Sequence, residues 1–228
     1  NGANYMAMEF GGEGLKTLNM SDRISICNLC VEAGAKTALM EVDDITIEYL
    51  KEHGRKPKHS FSSDADAKFA KVYDINLDEI EPIVAKPHFV VPAKECLGTH
   101  IDEAFLGSCN NGRIEDLRAG AEIIKGKKVA PLVRFLVVPA SAAVYEQALK
   151  EGIIDTFMEA GAIVMNPNCS VCWGSCQGVI GENEVLISTG TRNFKGRAGH
   201  KDSFIYLASA ATVTASAIKG EITTSDLL

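Results

Sequence analysis

The sequence predicts an α/β fold with a parallel-rich sheet, and three observations support this prediction. Beyond residue 80, apolar segments of strand length alternate with amphipathic helical segments, which is typical of a parallel sheet covered by helices. Val129 to Val138 is a nearly continuous apolar run, as expected for a strand buried on both faces. Ile114 to Ile124 repeats its apolar residues at helical spacing, which predicts a helix with one buried face.

A proline-rich segment divides the chain into two parts. Three prolines lie within residues 79–92, and proline restricts its own φ angle and disfavours helix at the residue before it. We therefore predict a connector there, with one domain over residues 1–80 and a second over residues 81–228. The 228 residues, 46% of them hydrophobic, are enough for a buried core.

The first part has its own helix and strand signals. A helix is predicted from Ser21 to Ala33, ending at Gly34, because Ser-Asp favours a helix start and glycine a helix end. A strand is predicted from Thr37 to Val42 and a second helix from Ile45 to Glu52.

Cys27 and Cys30 form a Cys-x-x-Cys pair inside the first predicted helix. A helix without a glycine or proline turn suits core packing better than chelation, and buried free cysteine is common. We interpret this pair as core residues.

The second part continues with further elements after its first helix. They are predicted helices at Ala142 to Lys150, Ile153 to Glu159 and Ala211 to Lys219, and predicted strands at Ile163 to Met165, Val185 to Ser188 and Ile205 to Ala208.

Composition and charge exclude several classes of protein. The formal charge of −7 argues against a general nucleic-acid binder, which needs a basic surface. No apolar run is long enough to cross a bilayer, and the sequence begins with no signal-peptide pattern. Seven cysteines in an ordinary globular composition indicate a reducing cytoplasm rather than a disulfide framework. Because the chain begins with Asn1 rather than Met, we expect a processed product or a fragment.

The strongest chemical signal is the segment from Asn166 to Cys176, which holds a second Cys-x-x-Cys pair at Cys169 and Cys172. Thiolates are soft ligands for iron–sulfur clusters, zinc or copper(I), and this spacing lets one loop aim two thiols at one centre. The same spacing occurs in thioredoxin-type redox loops and zinc knuckles.

Two further loops carry polar residues just after predicted strands. Cys109 lies in the loop Gly107 to Arg113, and Arg192 and Arg197 lie in a glycine-containing loop after Val185 to Ser188. Because ligands in open α/β sheets gather beyond the carboxyl ends of strands, we expect these loops and the Cys169 loop to converge.

Three thiolates and two arginines are compatible with two kinds of metal centre. A cubane iron–sulfur cluster with three protein thiolates has one iron free to act as a Lewis acid. A zinc site would need a fourth ligand, which Cys176 or a histidine could provide. Arg192 and Arg197 suit a carboxylate-rich anion through bidentate contacts.

These loops resemble the aconitase superfamily, in particular the large subunits of 3-isopropylmalate dehydratase and homoaconitase. The resemblance covers nearly the whole chain, and the segments that carry it are Gly107 to Arg118, Cys169-x-x-Cys172, Thr191 to Arg197, Ala7-Met8-Glu9-Phe10 and Cys27 to Lys36. The resemblance implies an aconitase-like three-layer α/β/α domain, preceded by part of a second α/β domain.

The resemblance also implies chemistry. Cys109, Cys169 and Cys172 would bind a [4Fe-4S] cluster, and Arg192 and Arg197 would bind substrate carboxylates. Glu9, which its neighbours alone suggest is a surface charge, would lie near the exchanged hydroxyl and serve as the catalytic residue. The activity would be that of a hydro-lyase acting on a 2-hydroxy di- or tricarboxylate, first of all 3-isopropylmalate of leucine biosynthesis.

The chain departs from the family pattern at several positions. Asn110 stands where the family has threonine, Ser170-Val171 where it has Gly-Pro, and Thr191 where it has asparagine. No segment matches the family's N-terminal half or its swivelling domain. We therefore expect the C-terminal part of a large subunit, inactive without the remainder and a small subunit. Alternatives are homoaconitase, aconitase or 2,3-dimethylmalate dehydratase activity, and a non-enzymatic zinc or cluster-sensing module.

Overall fold

The computed structural model describes residues 2–228 and divides into two compact units, Asn1–Ile80 and Glu81–Leu228. Each unit has its own sheet. Of the residues described, those of the first unit form one buried apolar cluster and those of the second form two, one on each face of its sheet. Among the described helices, none is long and apolar enough to cross a membrane.

The first unit is built on a two-stranded parallel sheet flanked by two helices. Asn19 caps the first helix by accepting from the Asp22 amide at 3.0 Å, so this helix begins slightly earlier than predicted. The predicted helix end at Gly34 is right, although the last turn tightens into a 3-10 helix over Cys30–Ala33. The bounds of these elements are β1 Ala7–Phe10, α1 Met20–Leu29, β2 Thr37–Met40 and α2 Asp44–Glu52.

A buried ion pair joins α1 to α2. Arg23 is only 2% exposed, and its guanidinium donates to both carboxylate oxygens of Asp43 at 2.7 and 2.6 Å. Asp43 also caps α2 by accepting from the Thr46 amide at 3.0 Å. The bond from Arg23 holds the pKa of Asp43 well below its usual range.

The second unit contains a seven-stranded sheet, with strand order β4-β3-β9-β8-β5-β6-β7. The five strands from β5 to β9 are mutually parallel, and an antiparallel hairpin extends one edge. The predicted parallel-rich α/β fold is therefore confirmed. The strands are β3 Ile83–Lys86, β4 Phe89–Pro92, β5 Glu103–Leu106, β6 Arg134–Val137, β7 Ile163–Val164, β8 Val185–Ser188 and β9 Phe204–Leu207.

Two sequence predictions in this unit need correction. The proline segment contains the β3–β4 hairpin, because Pro87 lies in its turn and Pro82 precedes its first strand. The apolar run from Val129 gives a strand only over Arg134–Val137. Leu132, with φ 70° and 95% exposed, belongs to a turn that delays the strand.

The two faces of the seven-stranded sheet are covered differently. The first face packs under four helices: α3 Ile114–Ile124, α4 Ala142–Lys150, α5 Ile153–Ala160 and α6 Ala210–Lys219. Alternate strand residues such as Phe105 and Leu136 point to the second face, where they pack against loop residues including Val171, Ile180 and Ala198. Of the three layers expected, the described residues supply one layer of helices and one layer of loops around the sheet.

Candidate functional site

Three loops leave the sheet at the carboxyl ends of its parallel strands. They follow β5, β7 and β8, which belong to the parallel set and therefore end on the same side. We call them the Cys109 loop (residues 107–113), the thiol loop (residues 166–180) and the arginine loop (residues 189–200). The three loops carry five of the six candidate residues: Cys109, Cys169, Cys172, Arg192 and Arg197.

The Cys109 loop lies close against the end of β6. A Cβ atom on Gly112 would approach the Val138 carbonyl to 2.4 Å, and one on Gly107 would approach the Phe105 ring to 2.7 Å. Only glycine allows this approach at either position. The loop is therefore held tightly against the sheet while Cys109 itself is exposed.

Thr189 joins the Cys109 loop to the arginine loop. Its side chain is 2% exposed, and its hydroxyl accepts from the Gly107 amide at 2.9 Å and lies 2.7 Å from the Gly107 carbonyl. The Asn111 amide group donates to the Thr189 carbonyl in return. The residue that follows strand β8 thus fixes the loop after β5.

The thiol loop is closed from within by Ser170. This serine is fully buried between the two cysteines, and its hydroxyl donates to the Gln177 carbonyl at 2.8 Å. Its φ of 45° is in the left-handed region, which serine adopts only when its surroundings hold it there. Cys169 is exposed and Cys172 half-buried as a result.

Arg197 joins the arginine loop to the thiol loop. Its Nε atom donates to the Cys172 carbonyl at 2.8 Å, and the centre of its guanidinium lies 5.7 Å from the Phe194 ring centroid. Arg192 instead donates from Nη1 to the carbonyl of its neighbour Thr191 at 3.0 Å. The two arginines therefore differ in what their side chains bind.

A buried carboxyl lies under the thiol loop. Glu103 is fully buried and accepts from Arg134 Nε at 2.8 Å, while Arg134 also forms a two-bond contact with Glu184. A Cβ on Gly178 would lie 3.5 Å from both Glu103 Oε1 and Ser170 Oγ, which places the carboxyl beneath the loop. Burial raises the pKa of Glu103 to about 7 despite the opposing charge of Arg134, whose bond lowers the pKa of Glu184.

Comparison with known proteins identifies the family. Residues 1–98 and 91–220 match the Aconitase family (aconitate hydratase). This chain belongs to the aconitase family. Its relatives include the 3-isopropylmalate dehydratase large subunit of Aquifex aeolicus, 48% identical over 99% of this chain and 54% of that protein. The corresponding subunit of Caldicellulosiruptor saccharolyticus is 47% identical over 97% of this chain and 52% of its own length.

An archaeal relative gives the same result. The probable 3-isopropylmalate dehydratase large subunit of Methanothermobacter thermautotrophicus is 47% identical over 97% of this chain and 54% of that protein. The chain spans about half the length of the curated relatives it matches. The predicted resemblance to the aconitase family is therefore confirmed.

The thiols of this aconitase-family chain fit an iron–sulfur cluster by their chemistry. Cys109, Cys169 and Cys172 are free, accessible to different degrees, and carried by loops that hydrogen bonds join. Among residues 2–228, however, no three His, Cys, Asp or Glu side chains lie close enough together to hold a metal ion. The donor set is present on linked loops, but the thiols are not gathered into a ligating geometry.

Glu9 belongs to the first unit. It is an exposed residue of β1, and its Oε2 accepts from the Ser63 hydroxyl at 2.7 Å. It lines an open cavity of about 250 Å³ beside Leu39, His59 and Phe61. This cavity lies among residues at and after the carboxyl ends of β1 and β2.

Sequence reasoning missed the residues that hold the site together. Ser170, Thr189 and Glu103 make their contacts with partners far away in the chain or across a loop. Only Glu103 leaves a signal, since a charged residue at the head of an otherwise apolar strand needs a partner. That partner, Arg134, is recognised once the parallel register pairs the two residues.

Proposed function

We propose that this chain is the part of an iron–sulfur hydro-lyase large subunit that carries the cluster thiols. The whole enzyme would isomerise a 2-hydroxy di- or tricarboxylate by dehydration and rehydration, with 3-isopropylmalate of leucine biosynthesis as the first substrate to test. The observation that supports this most is the linkage of the Cys109, thiol and arginine loops at one edge of a parallel sheet. The names of the relatives, 3-isopropylmalate dehydratase large subunits, support the same function.

Cys109, Cys169 and Cys172 are the residues that would hold a [4Fe-4S] cluster. When bound, such a cluster supplies an iron with an open position that acts as a Lewis acid toward a hydroxyl group. The protein's contribution is to place three thiols on loops fixed to the sheet and to one another. Ser170 and Thr189 are the residues whose buried hydroxyl groups maintain this arrangement.

Arg192 and Arg197 are the candidates for binding substrate carboxylates. A guanidinium presents a planar fork of donors that matches a carboxylate, and both arginines lie on the loop next to the thiols. Holding the two ends of a dicarboxylate would fix the carbon that loses its proton relative to the hydroxyl that leaves. Glu9 is the candidate catalytic carboxylate, on the basis of the family resemblance.

The partner in this proposal is the small, swivel-domain subunit of the dehydratase. The relatives are named as large subunits, and this chain covers about half of their length. We therefore expect the 228-residue chain to be inactive by itself. We propose a reducing compartment such as the cytoplasm, because seven cysteines in an ordinary globular composition do not resemble a disulfide framework.

Turnover by the complete enzyme tests the proposal. The full-length large subunit and its small subunit would be mixed anaerobically after reconstitution with iron and sulfide. The panel of substrates is 3-isopropylmalate, homoaconitate, citrate and 2,3-dimethylmalate. Dehydration of 3-isopropylmalate, with the highest kcat/KM of the four, is the expected result. Stoichiometric zinc without iron in the purified protein, or no turnover of any of the four, would overturn the proposal.

A further inference from the structure

The thiol loop and the arginine loop are joined along their backbones. The Ile180 amide donates to the Ala198 carbonyl at 3.0 Å, and the His200 amide donates to the Ile180 carbonyl at 2.9 Å. Gly174, at φ 73°, lies so near Arg197 that a Cβ atom would come within 2.0 Å of the Arg197 carbonyl oxygen. These contacts hold the end of the arginine loop, residues 197–200, against the middle and the end of the thiol loop.

The side chain of Arg197 makes a further contact with the thiol loop, at Cys172. Its Nε donates to the carbonyl of Cys172 itself, at 2.8 Å. A charged donor makes a stronger hydrogen bond than a neutral one, especially when partly removed from water. The guanidinium is half-buried and has Phe194 near one face, which limits its freedom to leave the carbonyl.

We propose that Arg197 is a positioning residue for the cysteine pair: it holds the Cys172 carbonyl, and with it the loop that carries both thiols, before any cofactor binds. Ser170 closes the same loop from within through its bond to the Gln177 carbonyl, so two separate hydrogen bonds hold the segment that carries the thiols. Arg192 is the residue for comparison, because it lies on the same loop and donates to the Thr191 carbonyl of that loop.

The position of the bond gives Arg197 a second task. Only Nε is used for the Cys172 carbonyl, which leaves the two Nη nitrogens for a carboxylate. One side chain would thus connect the thiol loop with the substrate's anionic group. This second task rests on the proposed function, whereas the positioning role rests on the described contacts alone.

Hydrogen exchange on the full-length large subunit without iron tests the positioning role directly. Arg197→Met and Arg192→Met form a matched pair, since each removes one positive charge from the same loop. We expect amides of residues 169–178 to exchange about tenfold faster in Arg197→Met than in the wild type. Arg192→Met should speed exchange in this segment less than Arg197→Met does, because the bond to the Cys172 carbonyl comes from Arg197. Equal exchange in all three proteins would overturn the proposal.

Two additions keep the result interpretable. Amides of α6 report global folding in the same sample, and Arg197→Lys, which keeps the charge but not the fork, replaces Arg197→Met if α6 also loses protection. Arg197→Lys is expected to speed exchange in residues 169–178 alone, and wild-type exchange there would contradict the positioning role.

Iron binding then separates the two proposals. After anaerobic reconstitution, Arg197→Met should retain less iron and sulfide per chain than Arg192→Met, with a weaker cluster absorption. If Arg197→Met loosens the thiol loop but the wild type binds no cluster, the proposed function fails and the positioning role stands. If the wild type binds a cluster and Arg197→Met holds it equally well with unchanged exchange, the positioning role alone fails.

Discussion

The chain contains two Cys-x-x-Cys pairs with the same spacing and opposite surroundings. Cys27 lies in α1, and Cys30 begins the 3-10 turn that follows it. Cys30 is 6% exposed, packs with Ala3 and Ala35, and donates its thiol hydrogen to the Ile26 carbonyl at 3.2 Å. Burial raises the pKa of both thiols, and at Cys30 the neighbouring Cys27 adds to the rise.

The second pair lies in an irregular loop beyond a strand end. Cys169 is exposed and Cys172 half-buried, while the two spacer residues, Ser170 and Val171, are fully buried. The spacer points inward and anchors the loop, which leaves Cys169 exposed and Cys172 only half-buried. Spacing alone therefore does not decide what a Cys-x-x-Cys pair does, because the backbone around it determines which side chains face the core.

Thiol labelling should show the largest difference between the pairs. In the iron-free chain at neutral pH, Cys169 should react rapidly with iodoacetamide and Cys30 hardly at all, because the thiolate is the nucleophile and Cys30 is buried with a raised pKa. Mass spectrometry of timed samples measures the rates. Raising the pH should increase labelling of Cys30, while unfolding in guanidinium should equalise the two. Faster labelling of Cys30 than of Cys169 in the native chain would contradict the comparison.

The buried carboxyl under the second pair should make stability depend on pH. The pKa of Glu103 is raised from 4.5 to about 7, so the folded state holds a proton that the unfolded state releases. Stability should therefore fall as pH rises from about 4.5 to about 7 and then level off, by about 3 kcal/mol for this group at about 1.4 kcal/mol per pKa unit. Glu103→Gln should flatten this part of the profile, as measured by urea unfolding from pH 5 to pH 8.

Glu184→Gln is the matched control, because it removes a carboxylate that binds the same arginine. Its pKa is lowered, so its stabilisation is present above its ordinary pKa and is lost as the pH falls below that value. Glu184→Gln should leave the fall between pH 5 and pH 7 in place. A profile that Glu103→Gln does not change would show that Glu103 is already ionised in the folded chain.

Removing the hydrogen bond between Ser170 and Gln177 inside the thiol loop should have the smallest effect. Ser170→Ala loses the hydrogen bond to the Gln177 carbonyl and keeps the left-handed φ, so unfolding should become easier by about 1 kcal/mol. Ser170→Gly should recover part of this loss, because glycine adopts that φ without strain. Ser175→Ala, at an exposed position of the same loop, serves as the control. If Ser170→Ala matches Ser175→Ala in unfolding free energy, the Ser170–Gln177 hydrogen bond contributes nothing to stability.

Much of the fold follows from local sequence patterns. Helix α3 has the predicted bounds because apolar residues repeat at helical spacing and those of the predicted face, Ile114, Leu117, Ala121 and Ile124, are all buried. Strand β8 also matches its prediction residue for residue. The wrong predictions occur where a turn interrupts a pattern. Leu132 lies in a turn within the apolar run that predicts one strand, and Pro87 lies in the turn of a hairpin where the proline content predicts a connector.

The chemical groups of the site were predictable from the sequence, but the contacts that hold its loops in place were not. Cysteines and arginines after strand ends could be found by residue type and position. The buried contacts of Thr189 with Gly107, and of Arg197 with Cys172, join residues 82 and 25 positions apart. Such pairings depend on strand order, and β8 lies beside β5 although β6 and β7 come between them in the chain.

Iron and sulfide content after anaerobic reconstitution tests the central claim, that the two cysteine pairs differ in function. The full-length protein should bind one [4Fe-4S] cluster, and Cys27→Ser and Cys30→Ser should bind as much as the wild type. Cys109→Ser, Cys169→Ser and Cys172→Ser should each lose the iron and the visible absorption of the cluster. Retention of the cluster by any of these three variants, or its loss in Cys30→Ser with the fold intact, would contradict the account.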